Sequence, residues 1–121
     1  MADQPGSLLM TKQGVVTVVE LIDKKILDEA GIDRISEQLL SLVAQQADPR
    51  VVLDFVNVGH MSSSALGMLI TLHKRVREKG GLLRLCNILP SIYEVFVITR
   101  LNEVFQICSS RDQAVSEAAA S

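Results

Sequence analysis

Val51-Val52-Leu53-Asp54-Phe55-Val56 leads into Gly59-His60-Met61-Ser62-Ser63-Ser64-Ala65-Leu66-Gly67, and the chain then runs on from Met68 to Lys79 and Gly80-Gly81. The first run is short, apolar and rich in β-branched residues, which predicts a buried strand. From Ala65 to Lys79, positions 65, 69, 72 and 76 repeat at +4, +3 and +4, one apolar face of a helix. Gly80-Gly81 supplies its stop. Three consecutive serines therefore stand where a strand hands over to a helix. Ser62 and Ser63 are both placed to cap that helix, and a phosphate there would face the unpaired amides of its first turn.

Toward the C-terminus, Leu82–Cys86 reads as the next strand and Asn87-Ile88-Leu89 as a loop. Pro90 suits the first turn of a helix whose shared face is Ile92, Val95, Phe96 and Thr99, closed by Leu101-Asn102. Val104–Cys108 is a last short strand. A small helix is expected from Ser110-Arg111 through Glu117, with 118–121 frayed. Toward the N-terminus, Asp48-Pro49 ends a helix expected from about Asp33 to Gln46, started near Asp33 or Ser36, with Ile35, Leu39, Leu42 and Val43 on its apolar face. Before it, Asp23-Lys24-Lys25 leaves the sheet, Ile26-Leu27 touches the core, and a loop runs on to Gly31. Ser7–Lys12 and Val15–Leu21, joined at Gln13-Gly14, read as a hairpin with an outer edge strand, and residues 1–6 as a loose end. The order predicts one α/β domain over residues 7–117. Its sheet is mixed, with about five strands: an N-terminal hairpin, then strands and helices in alternation, packed with about four helices.

At 121 residues the chain is long enough for a sizeable core, and 48% apolar with 21% charged residues is ordinary globular composition. A net charge of −2 argues against nucleic acid, which needs a clustered basic face. Lys74-Arg75-Val76-Arg77-Glu78-Lys79 is read as a solvated helix end, where cations suit the dipole. No run approaches the ~20 apolar residues of a membrane span. Nor does the N-terminus have the form of a secretory signal. Cys86 and Cys108 lie in apolar runs and are expected to be buried, reduced thiols, and with two histidines they are too few for a zinc site. The expected setting is the cytoplasm, with no metal and no cofactor.

The usual enzyme signatures are missing. No GxGxxG, no GxxxxGK[ST] and no GxSxG occurs. His60 is close to the serines, but the loop has no acidic residue placed to orient it as a base, so it is read as a turn histidine facing water. Asp54 reads as a polar group near the sheet end or a partner for a neighbouring turn. No catalytic residue is assigned.

Asp54-Phe55-Val56-Asn57-Val58-Gly59-His60-Met61-Ser62-Ser63-Ser64-Ala65-Leu66-Gly67 resembles the signature of the STAS domain, the fold of bacterial anti-sigma factor antagonists. The family pattern is a strand ending in Asp-Leu-x-x-Val, then Met-Asp-Ser-Ser-Gly-Leu-Gly. Ser91 to Phe105 is similar to the family's second recurrent run, in which a threonine and a leucine precede the last strand. The resemblance covers residues 8 to 117. It implies a protein that binds an anti-sigma factor of the serine-kinase type and so releases a sigma factor. The kinase phosphorylates a serine at the helix N-terminus and a serine phosphatase restores it. Matched residue by residue, the phosphoserine is Ser63, with Ser62 and Ser64 as alternatives. Partner binding falls on Met61, Ser62, Ser63, Ser64, Ala65, Leu66 and Gly67. Ser62 stands where the family has aspartate, and Ala65, where it has glycine, adds a methyl group close to any docking partner. Those departures point to a second reading, an unswitched adaptor serving as a transporter accessory subunit or a scaffold piece of a sensory assembly. A third is a small-ligand domain, or an enzyme using His60 and a serine.

Overall fold

Gly14, with a φ of +64°, turns the chain between β1 (Leu8–Gln13) and β2 (Val16–Leu21). These strands pair antiparallel, Leu8 opposite Leu21 and Gln13 opposite Val16. The computed structural model describes residues 7–120; the expected loose end, residues 1–6, lies outside the described residues, as does Ser121. From β2 onward the main sheet is parallel. β4 (Arg50–Asp54) pairs with β2 on one side and with β6 (Leu82–Cys86) on the other, and β7 (Gln106–Cys108) closes the order β1-β2-β4-β6-β7. The alternation of β4 explains the layering. Val51 and Leu53 belong to the larger core with α1 (Glu29–Ala44), α2 (Ser63–Glu78) and α3 (Pro90–Ile98). Val52 belongs to a smaller cluster with Val16, Val18, Cys86, Cys108 and two alanines of α4 (Arg111–Ala120). This is the α/β domain expected, with five strands in its main sheet and four helices.

Several boundaries moved, each for a local reason. α1 starts at Glu29, ahead of the expected Asp33, because the Asp28 carboxylate accepts from the Gly31 amide at 3.1 Å and caps the helix there. The segment expected as a loop before it contains β3 (Lys25–Ile26), which pairs in parallel with β5 (His60–Met61), a second, two-stranded sheet. β4 stops at Asp54 and not at Val56, since the Asp54 carboxylate accepts from the Val56 amide at 3.0 Å and bends the chain. On α3 only Ile92 and Phe96 of the expected face are buried. Val95 is exposed, and Thr99 lies at the C-cap, where its hydroxyl donates to the Val95 carbonyl. The chain reverses through Arg100, φ +62°, into a 3-10 turn at Leu101–Glu103, so β7 begins at Gln106 and not at Val104. α4 runs to Ala120, past the expected Glu117, and Ala118 is buried.

Candidate functional site: the serine turn

β4 points its C-terminal end at the turn that delivers the serines. After Asp54 the chain makes a tight turn, with the Val58 amide donating to the Phe55 carbonyl at 2.9 Å. Gly59 and His60 then donate to the Lys24 carbonyl at 2.8 and 3.1 Å, and Ser62 donates to the Ile26 carbonyl at 3.0 Å. The β3–β5 pair thus delivers the chain to the start of α2 along a hydrogen-bonded path.

Ser62 is the N-cap. Its backbone is extended, and its hydroxyl accepts from the Ala65 amide at 3.2 Å. Ser63 is therefore the first helical residue, and its side chain is left free of the cap. Ser63 and Ser64 are exposed, whereas Ser62 is half-buried. As in any first turn, the amides of Ser63 and Ser64 have no intrahelical acceptor. The first turn of α2 also contains no acidic residue.

The expected partner-binding set divides in two. Ser63, Ser64 and Gly67 are exposed, and a Cβ added at Gly67 would meet nothing within 4 Å. Ala65 is fully buried in the main core, and Leu66 is buried beside it. The Ala65 methyl group therefore points into the protein, contrary to the expectation that it lies close to a docking partner. Met61 is half-buried against the same core. His60 is exposed, and among the described residues no hydrogen bond joins its ring to a serine or a carboxylate. Among the described residues no cluster of ligands suits a metal ion, and no helix is long and apolar enough to cross a membrane.

Asp54 is the turn partner at the sheet end that its position suggests, but the group it joins escaped the sequence reading. Asp54, only 2% exposed, accepts through Oδ1 from the Val56 amide and from Asn87 Nδ2, both at 3.0 Å. Its Oδ2 accepts from Arg111 Nε at 2.7 Å. Arg111 Nη2 donates to Glu20 Oε1 at 2.8 Å, and Asn57 Nδ2 donates to Glu20 Oε2 at 2.9 Å and to the Leu21 carbonyl at 3.2 Å. Donating to Asp54, against the lowering effect of burial, and then to Glu20 raises the Arg111 guanidinium pKa. These residues come from four separate stretches of chain, and nothing in their spacing brings them together.

Residues 7–114 match the STAS domain family. The chain belongs to that family. The STAS domain is 34% identical over 84 residues to BtrV of Bordetella bronchiseptica, covering 67% of this chain and 72% of that one. It is 33% identical over 79 residues to the anti-sigma-B factor antagonist of Bacillus subtilis, covering 65% and 71%. Among solved structures, an anti-sigma-factor antagonist (STAS) domain protein from Planctomyces limnophilus has the same fold, with a TM-score of 0.84 and 24% identity over 93% of this chain and 97% of that one.

Proposed function

We propose that this STAS domain is an anti-sigma factor antagonist. It binds an anti-sigma factor of the serine-kinase type through the serine turn, phosphorylation of Ser63 switches that binding off, and a serine phosphatase restores it. It is a binding module and not an enzyme, working in transcription regulation by partner switching in a bacterial cytoplasm. The observation that carries the reading is Ser63 itself, exposed at the first position of α2 while a different serine holds the cap. The names of the relatives point the same way.

Both departures from the family pattern are absorbed by the geometry. Ser62 caps as an aspartate would, through a side-chain oxygen. The Ala65 methyl fills core and leaves the outer face of the turn open. Ser62 is half-buried with its hydroxyl engaged in the cap, which leaves Ser63, with Ser64 as the exposed alternative.

The switch follows from charge. A phosphate adds about −1.5 to −2 charges. Beside orphan amides and the positive end of a helix it gains up to ~2 kcal/mol, so it does not unfold the domain. Buried against a partner, an unpaired dianion costs several kcal/mol, and each ~1.4 kcal/mol is tenfold in affinity.

The test is phosphopeptide mapping of the protein from its native cells under two growth conditions, followed by binding to the anti-sigma factor kinase recovered with it from the same cells. Phosphate at Ser63 is expected, with Ser63→Ala binding normally and resisting phosphorylation, and Ser63→Asp losing at least tenfold in affinity. Wild-type affinity in Ser63→Asp would count against the switch. Absence of phosphate at residues 62–64 under both conditions would favour the unswitched adaptor.

A further inference from the structure

We infer that Arg111, on the C-terminal helix, is a positioning residue for the loop that presents the serines. What that loop does rests on the function proposed above; how it is held does not.

Arg111 occupies an unfavourable place by one criterion. It is the first residue of α4, and a cation at a helix N-terminus opposes the dipole. Two carboxylates hold it there, Asp54 and Glu20, at 2.7 and 2.8 Å. Each carboxylate in turn holds one residue of the turn after β4. Asp54 accepts from the Val56 amide, and Glu20 accepts from the Asn57 side chain. The guanidinium is the only cation paired with either carboxylate among the described residues. Without it, a buried anion would stand close to a second anion with no cation to offset either charge, and the two would separate or take up water. The turn would then lose its carboxylate supports at residues 56 and 57 together, leaving Asn57 its bond to the Leu21 carbonyl. Its far end would still be held by Lys24 and Ile26 of the small sheet, so the loosening would fall on the near half of the loop. α4 lies on the opposite face of the main sheet from α2, so the link runs through the sheet end.

Residue-resolved hydrogen exchange on the full, unphosphorylated chain tests this. In Arg111→Met, the amides of Val56 and Val58 are expected to exchange about tenfold faster or more, with Gly59 at the held far end and Val19, Leu53 and Leu85 in the strands unchanged. Adding Asp54→Asn to Arg111→Met should accelerate the loop little further, because both remove the same link. Arg111→Lys should restore less than full protection, since one ammonium cannot match the two-pronged contact. Unchanged loop exchange, or an equal rise across sheet and loop, would overturn the inference. If Arg111→Met fails to fold, Glu20→Gln removes one support alone. It should then give a smaller rise confined to the turn, and no rise there would overturn the inference. A loop that loosens in a protein never phosphorylated at residues 62–64 would keep this inference and remove the proposed switch.

Discussion

Ser62, Ser63 and Ser64 carry the same side chain and meet two different surroundings. One hydroxyl is spent on an amide of its own helix, and the next two face outward. Sequence alone leaves Ser62 and Ser63 equal as caps, because the choice depends on which residue has extended backbone. That is decided where Ser62 donates to Ile26 at the end of the small sheet. His73 shows how a residue on a legible helix acquires a role from a distant segment. It packs edge-on against Phe105, with ring centroids 5.3 Å apart. Burial, and then the charge of Arg77, lower its pKa from 6.5. The folded state therefore binds this proton less readily than the unfolded state. The contribution is fully present above pH 6.5 and is lost as pH falls through the lowered folded value. His73→Phe keeps a ring against Phe105 and removes the titration. Its melting temperature should decline less than the wild type's between pH 7 and about pH 5; parallel declines would show that His73 contributes nothing to acid sensitivity.

α2 is the element best predicted from sequence, and its end is the most sharply defined. Gly80, φ +72°, donates to the Arg77 carbonyl at 3.0 Å and Gly81 donates to Val76 at 2.9 Å, the paired bonds of a Schellman stop. Gly81 has a second constraint that the helix does not impose. A Cβ built on it would overlap the Pro49 carbonyl and ring, where the chain enters β6 beside the start of β4. Gly81→Ala should therefore cost about 1–3 kcal/mol in urea unfolding. An unchanged midpoint would mean that the two crossings are loosely packed. Elsewhere the shorter elements were less legible. β3 and β5 have two residues each, too few for any alternation to register, and they exist only because their partners meet in space.

The main sheet carries three helices on one face and α4 alone on the other. Beneath α4 lie Cys86 and Cys108, opposite one another in register and both free. Burial, then the nearby Asp54 charge, pushes the Cys86 thiol up to about 12, so almost no thiolate exists at neutral pH. Iodoacetamide at pH 7.5 is accordingly expected to leave Cys86 unmodified in the native protein. In rising urea, its labelling should follow the unfolding curve. Labelling of the native protein at the denatured rate would show that α4 does not stay seated.

The sequence by itself determined the domain, the order of the main strands and helices, the reach of α2 and the position of the serine turn. These rest on periodicity, turn residues and a long family motif, all local in the chain. Tertiary structure decided which serine caps and which is offered to solvent, that Ala65 faces the core, and that the small sheet forms at all. It also decided that Glu20, Asp54, Asn57 and Arg111 act as one unit. A hydrogen bond between Glu20 and Arg111 spans 91 positions, and no local pattern encodes a contact whose partners are brought together only when the sheet assembles and α4 docks on it.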